Sequence, residues 1–578
     1  MHTIDLAIIG LYCLGMLAIG LWHSRVSADS TRAYFLGENK GKWWMLAASG
    51  AASNFDVSGT MFMVSLFYLV GLRAFWLLWA YQLFNSAFLM SYMAVWIRRT
   101  RVMTAVELML IRFGSDRGGK FARTAGAVLM VTFLTFSIGF AYAGLCKFIP
   151  PLFPEANQQI IKYVPLAIMI VTTAYVTIGG FKSVVMADVI QLAMSGTAGI
   201  IIGVTVFLKL DPGLVKELHA HFAAEFAPRM VMHLPPSNSN WNNFGLLCIY
   251  WAVAGLLLNM SGAGGHYGEQ RFLATRSNSD AAKAGCAWGL FSMPRWAMIA
   301  GFVFIASTGL AGSKDPETIL PIIIIQILPV GLKGALVAAL AAAFMSSFGS
   351  VVNAAASMVI CDVIQPAKPH LSTKFLVRLS YVVSLSLVAT GIVIGSHADS
   401  LGSLWTWMIA AIIGATLIPN VLRWHWWRFN GWGYACGIFG GLGAALVIAV
   451  GQAMDWWGGR LEYQFAPIIW AFSMIGAVAG SLLTKPTSMD TLKIFYGRVR
   501  PFGFWQSVKV LCEPEPVKDS IAAVALNVVV GLAGFFSCTS GIFFLIGHYF
   551  YEFSVCVSIT ATCAVVLYYN WYRKLPSD

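Results

Sequence analysis

The chain has 578 residues, of which 58% are hydrophobic and only 11% are charged. A soluble globular protein carries about 25% charged residues, so this composition excludes an ordinary soluble domain and indicates a polytopic membrane protein. The net charge of +13 is then explained by lysine and arginine in cytoplasmic loops, and it does not indicate a nucleic-acid partner. The ten cysteines stand singly without a CxxC pair, so the sequence predicts neither a disulfide framework nor a cysteine metal cluster.

Hydrophobic runs long enough to cross a bilayer occur at about fifteen places along the chain. The predicted runs are 3–22, 43–70, 72–97, 123–149, 159–180, 184–210, 241–262, 285–311, 331–361, 374–397, 401–422, 431–454, 465–484, 521–548 and 553–572. Lysine and arginine concentrate in alternate loops, which predicts a multi-pass protein of the cell (inner or plasma) membrane with its N-terminus outside and its C-terminus cytoplasmic. Two external segments are predicted. An amphipathic stretch near 214–226 lies on the membrane surface, and 316–332, which Pro321 and Pro329 interrupt, forms a half-helix or cap that leads into the next span.

The run 43–70 contains an unusual centre, Gly50-Ala-Ala-Ser-Asn-Phe-Asp-Val-Ser-Gly59, in which small residues surround Asp56. A charge at the middle of a spanning helix costs about 2.5–3.5 kcal/mol even on lenient scales, so it needs a reason. One interpretation is a helix that breaks near the midplane and offers its freed carbonyls to a cation. The other is an unbroken helix with a small-residue packing face.

A second stretch with chemical potential runs from Ala341 to Asn353. Ser346, Ser347 and Ser350 recur with Asn353 at three- and four-residue steps, so their side chains cover one side of a helix. Hydroxyl oxygens suit a small alkali ion, whereas the alternative is that these serines pack helices or bond to carbonyls one turn earlier.

A third stretch, Gly179 to Gln191, places Asp188 about one turn inside an apolar run. An acid at that depth is typical of an ion or proton site. The alternative is an interfacial acid that pairs with Lys182.

These stretches, in this order, resemble the sodium:solute symporter family. The resemblance covers about residues 3–425 and is carried by short motifs. They are Ala33-Tyr-Phe-Leu-Gly37 with Trp43-Trp44, Ala52-Ser-Asn-Phe55, Gly179-Gly180 with Val184-Val-x-x-Asp-Val-Ile-Gln191, Gln270-Arg271 with Ala281-Ala-Lys-x-Gly285, and Met345-Ser-Ser-x-x-Ser-x-x-Asn353.

The resemblance implies an all-α polytopic membrane protein with a LeuT-type five-plus-five inverted helix repeat. One extra helix precedes the repeats and about four follow them. The implied division is 1–42 for the extra N-terminal helix and a cytoplasmic loop, 43–210 for the first repeat, 241–422 for the second repeat, and 423–578 for the C-terminal helices and tail.

The family's main sodium site joins the broken first helix of repeat one to the third helix of repeat two. On matching positions, the resemblance implies carbonyl ligands from Ala52, Phe55 and Ala343 and hydroxyl ligands from Ser346 and Ser347. Some members hold a second sodium ion, which here implies a possible site at Asp188 with help from Ser347.

The resemblance is thinner at the substrate site. The positions that hold sugar hydroxyls in sugar transporters of the family fall here near residues without comparable side chains, namely Gly59, Leu78, Leu258, Met293 and Leu404. Candidates for the cavity of this chain are instead Asp56, Gly59, Gln82, Asn259, Arg295, Trp405 and Trp407. For Arg295 three interpretations remain open: it binds a substrate carboxylate, it neutralises Asp56, or it reaches to the membrane interface.

The function that these features predict is secondary active transport. Inward sodium flow drives uptake of a small polar organic solute, a carboxylate, zwitterion or sugar-like molecule, by alternating access. Because of Arg295, we place carboxylates and zwitterions slightly ahead of sugars as the expected class of substrate. Two alternatives remain: a proton-coupled carrier that uses Asp56 and Asp188, and a transporter-like sensor.

The sequence contains no nucleotide-binding loop, HExxH or GxSxG motif, so we expect neither an enzyme nor a cofactor. Na+ is the only metal ion expected, as the coupling ion. The expected partners are the solute, sodium and the lipid bilayer, with no nucleic acid, and a monomer suffices for transport.

Overall fold

A computed structural model describes residues 1–24, 41–78, 84–102, 107–176, 181–223, 244–262, 269–307, 315–368, 370–457, 462–512 and 520–575. Throughout these ranges the protein is helical, and it contains isolated bridges but no β-strand. The all-α prediction is therefore confirmed.

The helices fall into three consecutive groups. The first group comprises α1 (Thr3–Ser24), α2 (Trp43–Ala52), α3 (Val57–Val70), α4 (Ala74–Leu78), α5 (Phe84–Phe88), α6 (Ala94–Thr100), α7 (Glu107–Phe113), α8 (Arg117–Leu152), α9 (Gln158–Ile161), α10 (Val164–Val176), α11 (Phe181–Lys209) and α12 (Pro212–Ala223). The second comprises α13 (Phe244–Met260), α14 (Glu269–Leu273), α15 (Asn278–Phe291), α16 (Met293–Ser307), α17 (Ile319–Ile327), α18 (Leu332–Met358), α19 (Gln365–Ala367), α20 (Thr373–Ser396), α21 (Leu401–Trp407) and α22 (Gly414–His425). The third comprises α23 (Gly431–Ala453), α24 (Glu462–Leu482), α25 (Met489–Val499), α26 (Gln506–Lys509), α27 (Ile521–Ile546) and α28 (Phe550–Asn570).

Every predicted hydrophobic run overlaps at least one of these helices. Within the described ranges, 11 helical segments are long and apolar enough to cross a membrane, and four shorter apolar helices accompany them. The run 43–70 is divided into α2 and α3, as the broken-helix interpretation predicts. The two predicted external segments also form helices, α12 and α17, and α17 is largely buried.

Exposed apolar side chains show which helices lie at the periphery. On α28, Val555, Val557, Ile559 and Val565 are each more than 40% exposed. Water does not favour such a surface, whereas the hydrocarbon core of a bilayer does. The outer faces of these helices are therefore suited to lipid.

Helix α18 lies at the centre of the helical core. It packs against α1, α8, α11 and α20, and α2 packs against α11 and α15. Small buried residues on α2, among them Ala47, Ala51 and Ala52, allow its backbone to approach its neighbours closely. The turn between α2 and α3 itself contacts α18, so the break lies next to this central helix.

The segments after α22 and α25 are joined to the helical core by Arg112 of α7, which is fully buried. Its Nε donates to the Arg423 carbonyl at 2.7 Å, and its Nη2 donates to the Trp426 and Phe429 carbonyls at 2.9 and 3.1 Å. Its guanidinium lies 4.8 Å from the ring centroid of Trp505. The Arg423 carbonyl belongs to the last turn of α22, and the Trp426 and Phe429 carbonyls follow its end. One arginine therefore supplies donors at a helix terminus and attaches the segment after α25.

We expect Arg112→Met to lower the free energy of unfolding by about 3 kcal/mol, because it leaves several buried carbonyls without donors. The measurement is thermal unfolding of the purified protein. Arg117→Met is the matched control, since Arg117 is exposed at the start of α8. Equal losses in the two variants would contradict this role for Arg112.

Candidate functional site

The break between α2 and α3 is a short 3-10 turn, Ser53–Phe55, followed by Asp56 in an extended conformation. The Ser53 hydroxyl donates to the Gly50 carbonyl at 2.7 Å and so satisfies an acceptor in the last turn of α2. The Asp56 carboxylate accepts from the Gly59 N–H at 2.7 Å and so caps α3. A Cβ atom at Gly59 would lie 2.6 Å from Asp56 Oδ1, so a larger residue at this position would displace the capping carboxylate. The break thus arises from local hydrogen bonds that these small and polar residues supply.

The predicted sodium ligands lie at this break and on the part of α18 that faces it. Ala52 and Phe55 are fully buried at the break. From α18, Ser347 donates its hydroxyl to the Ser53 carbonyl at 3.4 Å. Ala343 is buried one turn earlier on α18, on the same face as Ser347. The side chain of Ser346 lies outside the described residues, although its backbone belongs to α18.

Asp188 of α11 lies in a second buried cluster, about one turn away from the break along α2. Ser49 donates its hydroxyl to Asp188 Oδ2 at 2.5 Å. Arg271 Nη2 lies 3.4 Å from the same oxygen, and Arg271 Nε donates to the Ser49 hydroxyl at 2.8 Å. Arg271 is therefore a charged partner of Asp188, and the side chain of Lys182, the predicted alternative, lies outside the described residues. A second sodium ion at Asp188 and Ser347 stays a prediction, because Arg271 already compensates the charge of Asp188 in this conformation.

Arg295 of α16 faces the first turn of α3. Its Nη2 lies 3.7 Å from Asp56 Oδ1 and donates to the Thr60 hydroxyl at 3.2 Å. Arg295 is 2% exposed, which is inconsistent with a side chain that reaches to the interface, while 31% of the Asp56 side chain is exposed. Of the three interpretations, the structure shows the pair with Asp56.

A cavity of about 790 Å³ lies beside the break. Five of the predicted substrate residues line it, namely Asp56, Gly59, Asn259, Arg295 and Trp405. Trp407 is not among the lining residues, and its ring stacks on Phe136 with the centroids 4.7 Å apart. The interpretation of Trp407 as a cavity residue is therefore not supported. Gln82 lies outside the described residues.

An aromatic wall and a series of uncharged polar side chains complete the cavity. The ring of Trp405 lies 6.1 Å from that of Phe62 and 5.4 Å from that of Phe140, between centroids. The uncharged polar lining residues that sequence reasoning did not assign to the cavity include Ser58, Ser65, Asn85, Ser86, Ser137, Ser292, Ser400, Ser403 and Thr406. Isolated hydroxyls in apolar runs are too common to have indicated them.

One end of the cavity is bounded by Glu317, at the start of the segment that leads into α17. Its carboxylate accepts from Lys147 of α8 at 2.5 Å and from the Gly402 N–H of α21 at 3.0 Å. Asp315 lies 3.4 Å from the same ammonium group. One acidic side chain thus connects the α17 segment to α8 and α21. Its position inside an otherwise apolar segment was a signal that sequence reasoning did not use.

Comparison with family models and with the sequences of known proteins gives three results. The model of the Sodium:solute symporter family matches residues 34–441. The chain is similar to Sodium/glucose cotransporter 4 of Danio rerio, at 24% identity over 77% of this chain and 72% of that protein. It is also similar to Sodium/myo-inositol cotransporter 2 of Oryctolagus cuniculus, at 25% identity over 67% of this chain and 60% of that protein.

Among solved structures, the chain is similar to a Na+-coupled sialic acid symporter in a substrate-bound outward-open state. The TM-score is 0.65 at 18% identity, and the match covers 84% of this chain and 99% of the other. At this identity the likeness concerns the fold, and it confirms the predicted LeuT-type architecture.

Proposed function

Because the chain belongs to the sodium:solute symporter family, we propose that it couples inward sodium flow to the uptake of a small polar organic solute without net negative charge. The family consists of sodium-coupled transporters and not of enzymes, so sodium is the coupling ion and no cofactor is required. The substrate class, the direction of transport and the residues of the site are the parts that we propose.

The observation that carries the proposed site is the contact between Ser347 and the Ser53 carbonyl. It brings a hydroxyl of α18 to the one place where α2 interrupts its hydrogen-bonding ladder. Carbonyl and hydroxyl oxygens are hard, neutral ligands for a small cation. We assign Ala52, Phe55, Ala343, Ser346 and Ser347 to this site.

The charges around the cavity support a solute that is not an anion. Among the described lining residues there are three carboxylates, Asp56, Asp315 and Glu317, and one guanidinium, Arg295. Because Arg295 already faces Asp56, a substrate carboxylate would have to compete with that pair. A carboxylate without such a partner loses its hydration at high cost.

The other lining groups favour a solute rich in hydroxyls. Several lining serines, among them Ser137 and Ser292, donate to a carbonyl of their own helix. Their oxygen atoms retain acceptor capacity for hydroxyl groups of a ligand. The face of Trp405 offers an apolar surface to the C–H groups of such a molecule. We therefore place an uncharged polyhydroxylated solute ahead of a zwitterion and of a free carboxylate.

The proposed cycle is alternating access. Sodium from outside bridges the break and α18, which stabilises the arrangement of α2 and α3 that forms the cavity. The contacts of Glu317 hold the α17 segment over one end of the cavity. Each sodium ion supplies about 2.3 kcal/mol per 100 mV of membrane potential, in addition to its concentration gradient.

The experiment begins with a ligand screen on the purified protein in saturating sodium. The panel contains uncharged polyols and sugars, zwitterionic amino acids and monocarboxylates, and the readout is the melting temperature. A hit is then tested for uptake into proteoliposomes with an inward sodium gradient and with potassium in its place. We expect a polyhydroxylated neutral compound to be taken up only with sodium. Sodium-driven uptake of a monocarboxylate alone would contradict the proposed substrate class.

A further inference from the structure

We propose that Asp5, on the extra helix α1, is a positioning residue for sodium binding, because its carboxylate caps α18 from outside that helix. This inference rests on the proposed sodium site at the break and on α18. It assigns a role in transport to α1, which lies outside the two implied repeats.

The contacts of Asp5 are those of an N-terminal cap. One carboxylate oxygen accepts from the backbone N–H groups of Gly331 and Gly334, at 2.7 and 2.9 Å, and the other accepts from the His2 N–H at 3.1 Å. Asp5 is fully buried. The first N–H groups of a helix have no intrahelical acceptor, and a negative charge there also interacts favourably with the helix dipole.

Helix α18 does not supply this cap itself. The residue before it is Gly331, which has no side chain and a φ of 89°. In most helices a serine, threonine, asparagine or aspartate at this position provides the acceptor. Here the acceptor comes from a residue more than three hundred positions earlier in the chain.

The backbones of the two helices also touch at the same place. A Cβ atom at Gly334 would lie 2.5 Å from the Asp5 Cα atom, so only glycine allows this approach. Helix α1 packs against α18 and also against α11, the helices that carry Ser347 and Asp188. The cap and the close contact together determine the position of α18 along its own axis.

That position determines where Ser347 meets the break. Gly334 and Ser347 belong to one continuous helix, with about 20 Å between them at a rise of 1.5 Å per residue. An axial shift of α18 at its capped end therefore also moves the Ser347 hydroxyl relative to the Ser53 carbonyl. Restoring that arrangement then consumes part of the free energy of sodium binding, so the apparent affinity for sodium falls.

The test is a sodium titration of the melting temperature of the full chain in detergent, at constant ionic strength with potassium. The variants are Asp5→Ala, which removes the cap, and Gly334→Ala, which keeps the carboxylate but separates the two backbones and so weakens its contact with the Gly334 N–H. Asp116→Ala is the control for the first, because Asp116 caps α8 by accepting from the Gly119 N–H. Gly10→Ala is the control for the second, because a Cβ atom at Gly10 of α1 has no neighbour within 4 Å.

For both test variants we expect the sodium concentration at half-maximal stabilisation to rise about tenfold, which corresponds to a cap of about 1.4 kcal/mol. Asp5→Asn, which retains one acceptor oxygen, is expected to lie between Asp5→Ala and the unmodified protein. The controls are expected to keep the unmodified midpoint. If Asp5→Ala does not fold, Gly334→Ala still provides the test.

Two results would overturn the inference, and they are distinguishable. In the first, the unmodified protein responds to sodium and the test variants melt lower in both salts with an unchanged sodium midpoint. Asp5 is then a structural cap alone, and the proposed sodium site stands. In the second, the unmodified protein shows no sodium response, and the proposed site fails together with the inference.

Discussion

Ser347→Ala is expected to abolish most of the stabilisation that sodium gives to the purified protein. A ligand that binds only the folded state stabilises it by about 2.7 kcal/mol at a hundredfold excess over Kd. Loss of one of five proposed ligands raises Kd by about a hundredfold, when coordination of the ion by one hydroxyl oxygen is valued like a hydrogen bond to a charged group, at about 2–3 kcal/mol. The measurement is the difference in melting temperature between sodium and potassium.

The matched control for this prediction is Ser357→Ala in the same helix. Ser357 donates to the Ala354 carbonyl at 2.9 Å and lies outside the proposed site. It is expected to keep the full sodium response. If Ser347→Ala also kept the full response at every sodium concentration, the assignment of Ser347 as a ligand would be wrong.

The second large effect is expected at the pair between Arg295 and Asp56. Arg295→Met removes the only guanidinium among the described cavity residues and leaves Asp56 beside a nearly buried apolar side chain. We expect the free energy of unfolding to fall by about 2–4 kcal/mol, less than for a fully buried pair because Asp56 is partly exposed. The measurement is thermal or denaturant unfolding in potassium, where sodium binding does not contribute.

A double-mutant cycle separates loss of the pair from loss of packing. Asp56→Asn keeps a carbonyl oxygen for the Gly59 N–H and removes the charge. The combination of Asp56→Asn with Arg295→Met is expected to recover at least 1 kcal/mol relative to the sum of the single losses. Strict additivity of the two losses would show that Arg295 and Asp56 do not interact, and it would return Arg295 to the role of a substrate ligand.

The sequence predicted those parts of the fold and of the site that depend on residues close together in the chain. Small residues around Asp56 indicated the break, because a charge and poor helix formers in one apolar run have a local effect on the backbone. The three- and four-residue steps among Ser346, Ser347, Ser350 and Asn353 predicted polar side chains on one side of α18, because helical periodicity is a property of neighbouring residues.

The parts that sequence did not predict depend on packing between distant segments. Asp188 pairs with Arg271, which lies far along the chain, because α11 and α14 both meet α2 at Ser49. The cap that Asp5 gives to α18 likewise exists only once the two helices lie side by side. Trp407 was indistinguishable from Trp405 in sequence, yet only Trp405 lines the cavity.

Equilibrium binding of radioactive sodium to the purified protein tests the central claim most directly. We expect saturable binding that unlabelled sodium displaces and potassium does not, and that Ser347→Ala weakens strongly. If saturable binding were absent at every pH, and the melting temperature depended on pH and not on sodium, the proposed sodium site would be contradicted. That result would favour the proton-coupled alternative at Asp56 and Asp188.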